Sequence, residues 1–246
     1  MNRQQTFRRY VDSSIRPSGG RAVETRDAVV RRRSVRAFLD RPVDRGLLAE
    51  VLETAGRAPS GGNLQPWHVH VLAGAPLADV KKRVTEQMRL GGPQADPEYP
   101  IYPRGLVSPY RERRYRNGEQ LYSTLGIARE DKPGRLQQFA RNYAFFGAPV
   151  GMFCYVHRQM GAAQWSDLGM FLQTVMLLLT DKGLASCAQE AWSVYHREIA
   201  EILEPPADQM LFCGMAIGYE DPEAPVNALR TERTPLHEIA QFHGWD

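Results

Sequence analysis

The feature that most constrains the fold is a stretch of apolar residues at positions 167–182. Its spacing is helical, with apolar side chains almost all round the helix, and Gly183 follows where a glycine commonly ends a helix. Such a helix must be covered on every side, by the chain's own sheet or by a partner subunit. The longest apolar run, 168–179, contains Gln173 and is too short to span a bilayer, so no membrane segment is predicted.

The charge balance and the cysteines exclude several classes of protein. The 246 residues carry 31 Lys and Arg against 28 Asp and Glu, and a net charge of +3 excludes a globally basic nucleic-acid binder. Cys154, Cys187 and Cys213 are far apart in apolar runs, which indicates reduced, buried thiols rather than disulfides or a zinc site. Residues 1–10 are polar and rich in arginine, without the apolar core of a signal peptide, so a cytoplasmic protein is expected.

Periodicity predicts one α+β domain at residues 23–246, preceded by a flexible arm at residues 1–22. Between residues 91 and 118 the periodicity disappears, and we predict a lid insertion at about 91–134. A polar tail is predicted at the C-terminus. Helices are predicted at 24–33, 44–56, 76–88, 135–146, 167–182 and 196–203, and strands at 67–72, 149–156 and 210–219.

Two short segments are rich in residues that can bind a charged or polar ligand. Residues 31–36 (RRRSVR) place four cations and the Ser34 hydroxyl within six positions, which is a dense site for an anion. Residues 58–67 (APSGGNLQPW) combine two glycines, which allow close approach to a flat ligand, with the donors and acceptors of Ser60, Asn63 and Gln65. Taken singly, the first segment also fits a solvated helix end and the second a plain helix-to-strand loop.

Other sites have less support. The chain has no glycine-rich nucleotide loop of the usual kinds, no nucleophile elbow and no zinc-protease motif. His68 and His70 alternate on a predicted strand, but no third ligand is close in sequence. No metal site is therefore predicted.

Together the two segments resemble the start of the FMN-dependent nitroreductase family: Arg-Arg-Ser-x-Arg, then Pro-Ser-x-x-Asn-x-Gln-Pro-Trp some twenty residues later. The resemblance continues, in the same order, through residues 183–192 (GLASCAQEAW), 214–219 (GMAIGY) and 230–235 (RTERTP). It implies an α+β fold with a central, mainly antiparallel mixed sheet flanked by helices, in an intertwined homodimer. The two flavin sites of the family lie at the subunit interface, and the apolar helix would then form the core of the dimer.

The resemblance also implies which residues bind FMN. The phosphate and ribityl chain would contact Arg32, Arg33 and Ser34, with either Arg230 or Arg233 closing on the phosphate. Arg36 would lie near the pyrimidine edge, where a guanidinium stabilises the negative charge of reduced flavin.

The ring would be contacted from two further segments. Pro59, Ser60 and Asn63 of the partner subunit would touch it, and Gln65 adds a donor and an acceptor to that loop. The backbone N–H of Glu190, or of Gln189, would bond flavin N5, and no side chain acts as catalytic acid or base. Many relatives have proline just before the acidic residue here, whereas this chain has Ala188-Gln189 and lacks that source of rigidity.

Substrate specificity is assigned to the lid, where tyrosine rings and arginine forks alternate in a composition that suits an aromatic acid. The lid also resembles a subgroup that includes nitrobenzoate reductases. The implied activity is reduction of a nitroaromatic compound by NADH or NADPH through flavin N5, with ping-pong kinetics. The predicted lid residues are Tyr110, Arg111, Arg114, Tyr115 and Tyr122.

Other functions remain open for the same residues. A reductase of quinones or enones, or a dehalogenase of halotyrosines, would share the flavin site and differ in the lid. A flavin-binding protein without turnover, or an arginine-rich interaction module, belongs to a different class. Steady oxidation of NADH or NADPH with any acceptor would exclude that class.

Overall fold

The structure is a computed structural model that describes residues 24–245, so the predicted arm at 1–22 lies outside the described residues. Its helices are α1 (Thr25–Arg31), α2 (Arg45–Ala55), α3 (Gly74–Arg89), α4 (Tyr110–Thr124), α5 (Lys132–Ala140), α6 (Ala162–Asp181), α7 (His196–Leu203) and α8 (Leu236–Ile239). Its strands are β1 (Trp67–Ala73), β2 (Val150–His157), β3 (Ala185–Gln189) and β4 (Gln209–Gly218). Helices and strands are mixed along the chain, as the α+β prediction requires.

The four strands form one sheet in the order β1-β2-β4-β3, and every adjacent pair is antiparallel. Ser34 adds an isolated parallel bridge to Ser186 at the free edge of β3. The predicted, mainly antiparallel sheet is therefore confirmed. The bridge also ties the arginine-rich segment to the sheet, which explains why α1 ends at Arg31 and not at residue 33 as predicted.

Strand β2 shows how the core is divided. Met152, Cys154 and Val156 face a core with α2 and α6, whereas Phe153 and Tyr155 face a second core with α3 and α7. Successive side chains of a strand point to opposite faces, so a strand apolar at every position must be covered on both faces. Helices on each side of the sheet provide that cover.

Two sequence predictions need correction. The segment Ala185–Gln189 forms β3, although its small and polar residues carry no strand signal and no strand was predicted there. The helix predicted at 135–146 ends at Ala140, and a 3-10 segment, Arg141–Gly147, follows. In it Phe145 and Phe146 have φ of 50° and 55° and are almost fully buried, so packing against the core overrides the helical spacing.

The lid segment is more ordered than its sequence indicates. Residues 110–118, where no periodicity was found, belong to the 15-residue helix α4. None of the residues of α4 is buried, so an apolar stripe was absent from the sequence because the helix has no buried face.

The apolar helix α6 is covered on one face only within the single chain. Leu168, Phe171 and Val175 are buried against the core, whereas Met170 on the opposite face is 38% exposed. None of the helices in residues 24–245 has both the length and the apolar character needed to cross a membrane. Cys154, Cys187 and Cys213 are free and buried, as predicted.

Candidate functional site

Arginines from both ends of the described chain meet around one cavity of about 630 Å³. We call it the arginine cavity and define it by Arg31, Arg32, Arg33, Arg36, Arg230 and Arg233. Ser34, Asn117 of α4 and Gln173 of α6 also line it, and no acidic residue of the described chain does. Six guanidinium groups without a carboxylate on the same wall form a site for a strongly charged anion.

The Arg32 guanidinium lies in an environment that disfavours its positive charge. Its pKa is lowered, first because it is partly buried and then because the Arg233 guanidinium repels its charge. Arg32 has no ion pair with a carboxylate in the part of the chain that the structure describes. A bound anion between Arg32 and Arg233 would relieve this repulsion.

Arg33 and Arg36 are held in place by the protein itself. The Nη2 of Arg33 donates to both carboxylate oxygens of Glu220, while its Nε is buried without a hydrogen-bond partner in the described chain. The backbone N–H of Arg36 donates to Oδ1 of Asn227 at 2.9 Å. Glu220 therefore holds the Arg33 side chain, and Asn227 holds the backbone of Arg36.

Asn227 joins the two ends of the cavity. Its Nδ2 donates to the carbonyl oxygens of Ala37 and Asp221, each at 2.9 Å, and its own carbonyl accepts from Nη1 of Arg230 at 2.8 Å. Asn227 is only 4% exposed. It holds Arg230 beside the arginine-rich segment, and no sequence pattern indicates this role because Arg36 and Ala37, which Asn227 joins to Arg230, lie 191 and 190 residues away along the chain.

The second predicted segment forms a tight, exposed turn away from the arginine cavity. Asn63 and Gln65 have positive φ values of 57° and 49°, and the backbone N–H of Gln65 donates to Oγ of Ser60 at 3.0 Å. The buried carboxylate of Asp167 on α6 accepts from the backbone N–H of Gly61 at 3.3 Å. Pro59 is exposed next to this turn. The turn is anchored from α6 and closed by its own hydrogen bonds, including one from Nε2 of Gln65 to the carbonyl oxygen of Asn63 at 3.2 Å.

The corner between β3 and the next helical turn is fixed by one side chain. Gln189 is buried, and its Nε2 donates to the backbone oxygen of Asn142 at 2.8 Å while its Oε1 accepts from Nε1 of Trp192 at 3.4 Å. Glu190, the next residue, is exposed. The side chain of Gln189 thus holds this corner in place, although the corner has no proline.

Helix α4 lines a cavity with a face that does not carry the predicted lid residues. Arg113, Arg116, Asn117 and Gln120 face the C-terminal segment 231–238 and line a cavity with it. The predicted residues lie elsewhere on α4. Arg114 stacks on Tyr102, Tyr115 and Tyr122 lie against Arg129 and Arg135, Arg111 pairs with Glu112, and Tyr110 lies near Arg113. None of the five lines the arginine cavity in the described chain.

Comparison with known proteins identifies the family. A sequence model of the Nitroreductase family matches residues 29–219, which include both polar segments and all four strands. The chain belongs to the nitroreductase family.

Individual nitroreductases match along almost their whole length. A 4-nitrobenzoate reductase of Pseudomonas putida is 38% identical over 89% of this chain and 96% of its own. The crystal structure of an FMN- and NADPH-dependent nitroreductase from Sphigopyxis sp. strain HMH has 51% identity and a TM-score of 0.88, covering 91% of this chain and 100% of that one. An FMN-dependent nitroreductase of Mycobacterium smegmatis, solved with NADPH, has 32% identity and a TM-score of 0.83, covering 89% and 100%.

The residues of the arginine cavity fit the phosphate of a flavin mononucleotide. The volume, about 630 Å³, lies within the range usual for cofactor sites. Arg32, which has no ion pair with a carboxylate in the described chain, is a donor of the kind that a phosphate monoester requires. The sequence pattern indicated these arginines. It carried no signal for Asn117, Gln173 or Asn227.

Proposed function

We propose that this nitroreductase-family protein is an FMN-dependent reductase of nitroaromatic compounds that uses NADPH or NADH and acts as a homodimer. The observation that carries the proposal is the arginine cavity, where Arg32, Arg230 and Arg233 meet from opposite ends of the chain without an acidic neighbour. The relatives named above bear the same activity in their descriptions. A cytoplasmic location stays a prediction.

The roles of individual residues follow from their positions. Arg32, Arg230 and Arg233 would bind the phosphate, and the Ser34 hydroxyl beside them offers a further donor. Both C-terminal arginines line the cavity, which supports a shared role in binding the phosphate rather than a choice between them. Arg36, held by Asn227, would lie at the pyrimidine edge and stabilise negative charge there.

The reacting edge of the ring would be supported by backbone groups. When bound, FMN takes up two electrons from the reduced nicotinamide and passes them to the nitro group. The backbone N–H of Glu190 would donate to flavin N5, with Gln189 holding the corner in place. The exposed turn at Pro59, Ser60 and Asn63 would contact the ring of the other subunit.

The homodimer is supported by the uncovered face of α6. Met170 on that face is 38% exposed in the single chain, and Gln173, one turn further along, lines the arginine cavity. A second subunit packed on this face would therefore also border the cofactor. In such a dimer the turn at Ser60, which does not line the arginine cavity of its own chain, would contact the flavin of the other subunit.

Nitrobenzoates are the acceptors to test first. Two relatives described as 4-nitrobenzoate reductases, from Pseudomonas putida and a Nocardioides strain, are each 38% identical over about nine tenths of the chain.

The test begins with the absorbance spectrum of the purified protein and an anaerobic titration with NADPH. We expect flavin bands that bleach on titration, and conversion of 4-nitrobenzoate to the hydroxylamine with parallel double-reciprocal plots. Intersecting plots would contradict a site that the two substrates use in turn. Iodide release from a halotyrosine, or turnover of quinones alone, would move the protein to another branch of the family. Protein that neither contains nor takes up FMN would overturn the proposal.

A further inference from the structure

A second cavity lies between the lid helix and the C-terminal segment. It has a volume of about 520 Å³, and we call it the lid cavity, defined by Arg113, Arg116, Gln120, Thr234, Pro235 and Glu238. Asn117, Thr231 and Arg233 line both this cavity and the arginine cavity, so the two adjoin. The lid cavity has no role in the binding of FMN derived above.

The arginines of the lid cavity are paired, but weakly. Arg113 and Arg116, one turn apart on α4, bond Glu238 at 3.0 Å and Glu232 at 2.9 Å. The four side chains are between 40% and 64% exposed. Ion pairs this exposed contribute little to stability, because water screens the charges and long side chains must be immobilised. A ligand with a higher negative charge can therefore replace the glutamates.

The remaining groups of the lid cavity suit a nucleotide better than a simple anion. Glu112 also lines it, and its Oε1 accepts from the neighbouring Arg111 guanidinium at 2.6 Å. A carboxylate oxygen can accept from a ribose hydroxyl or an adenine amino group. Pro109 and Pro235 add apolar surface for a flat base. The arginine cavity, by contrast, has no carboxylate from the described residues on its wall.

The position of the lid cavity excludes a small aromatic acid as its ligand. It adjoins the arginine cavity at Arg233, at the end assigned to the FMN phosphate, and neither Arg36 nor Glu190 lines it. When the nitro group of a nitrobenzoate lies at the flavin ring, its carboxylate is only one benzene ring away from the flavin. A dinucleotide has two riboses and a pyrophosphate between its nicotinamide and its adenine, and so extends past the phosphate end.

We propose that the lid cavity binds the 2′-phosphorylated adenosine end of NADPH, with Arg113 and Arg116 on the 2′-phosphate. The inference rests on the proposed function and adds the choice of reductant to it. A phosphate monoester carries close to two negative charges at neutral pH and accepts from two guanidinium forks at once, whereas each glutamate carries one charge. The phosphate replaces Glu238 and Glu232, which turn to solvent. NADH lacks this group, so the protein prefers NADPH.

The first test compares the two reductants. Initial rates with 4-nitrobenzoate are measured for the flavin-loaded full chain with varied NADPH and NADH. For the double variant Arg113→Gln/Arg116→Gln, kcat/KM for NADPH should fall about tenfold to a hundredfold, the usual loss for two charge-assisted bonds. With NADH the change should stay within about twofold, since no phosphate is lost. The matched control is Arg104→Gln. It removes an exposed positive charge of the predicted lid insertion that does not line the lid cavity.

The glutamates provide a variant with the opposite effect. Glu232→Gln/Glu238→Gln frees both arginines, so KM for NADPH should fall while KM for NADH stays unchanged. If these pairs only held the lid in place, the arginine and glutamate variants would both impair the two reductants alike. Equal losses with NADPH and NADH would therefore overturn the inference.

Direct binding keeps the inference testable if the reductase assay fails. Calorimetry of the flavin-loaded protein with 2′,5′-ADP and with ADP compares two probes that differ only in the 2′-phosphate. We expect 2′,5′-ADP to bind at least about tenfold more tightly, and Arg113→Gln/Arg116→Gln to abolish the difference. Equal affinity would overturn the inference. Absence of nitroaromatic reduction with either nucleotide would overturn the proposed function instead.

Discussion

Single buried polar residues hold the candidate site together, and Gln189 makes this testable. Its Nε2 donates to Asn142 and its Oε1 accepts from Trp192, so Gln189→Leu, which keeps the volume, leaves these buried groups without partners. We expect the free energy of unfolding to fall by about 1–3 kcal/mol. Equilibrium urea unfolding measures the loss, and the fraction of FMN retained on gel filtration should fall with it.

The control is Gln137→Leu, on an exposed position of α5. Surface substitutions of this kind change stability by less than about 0.5 kcal/mol. If Gln189→Leu were as stable as the control, the corner before Glu190 would not depend on the glutamine side chain.

The buried thiols predict a loss of stability at high pH. Burial raises the pKa of Cys154 from its normal 9.0 to about 12, and it also raises the pKa values of Cys187 and Cys213. Above about pH 9 the unfolded chain loses thiol protons that the folded chain keeps, so the free energy of unfolding falls as the pH rises. The expected slope is about 1.4 kcal/mol per pH unit for each thiol.

Urea unfolding between about pH 8 and about pH 11, for the original chain and for Cys154→Ala, measures this slope. Other groups that titrate in the same range contribute equally to both proteins, so the difference between the slopes isolates one thiol. Equal slopes would show that Cys154 ionises as readily in the folded chain as in the unfolded one.

For single residues, the sequence indicates the candidate ligand-binding side chains but does not indicate the buried residues that hold those side chains in position. The arginine-rich segment could be recognised because charge of one sign was dense over six positions. Asn227 and Asp167 could not, because a single buried amide or carboxylate acquires its role from partners that folding brings from 191 and 106 residues away.

Among the elements, the ones with a buried face were predictable. Apolar periodicity gave α2 and α3 within a few residues, and Asp44 caps α2 through the backbone N–H of Leu47 at 2.8 Å. The helix α4 was missed because it buries none of its residues, and β3 was missed because five small and polar residues pair with β4 only in the context of the sheet. The periodic spacing of apolar residues arises from the buried face of a helix or strand. Elements that bury few residues therefore show no such spacing.

The exposed helix α4 should respond to helix propensity more than to packing. Gly118 lies inside it, and no atom lies within 4 Å of the position that a Cβ would occupy. Gly118→Ala should therefore stabilise α4 by up to about 1 kcal/mol. Hydrogen exchange of the backbone amides at 110–124 should become slower, and exchange in β2 should stay the same.

Gly126, two residues after the end of α4, gives the matched comparison. Its φ is +67°, a conformation that alanine adopts only with strain. Gly126→Ala should speed exchange at the end of α4. Faster amide exchange in Gly118→Ala would contradict a helix at Tyr110–Thr124.

For the whole molecule, the decisive expectation is that a single chain is incomplete. In α6, Leu168 and Phe171 are buried in the core, while Met170 is 38% exposed beside the cavity residue Gln173. The sequence anticipated this, because a helix apolar almost all round needs a second surface to cover it. It could not show which face of α6 the chain's own sheet would leave open.

A charge on that open face should separate the subunits and release the cofactor together. Met170→Asp places a carboxylate on the exposed side of α6, where the fold of one chain can tolerate it but an apolar interface cannot. We expect sedimentation velocity to show a monomer, and the flavin absorbance per chain to fall by at least about tenfold.

The control, Leu90→Asp, also introduces a charge at an exposed apolar residue, 78% exposed at the end of α3, and should leave both assembly and flavin unchanged. If a second subunit closes the cavity that Gln173 of α6 borders, the two readouts for Met170→Asp change together. A Met170→Asp monomer that keeps its FMN would place the whole cofactor site within one chain. The exposed turn at Ser60 would then have no part in binding the flavin.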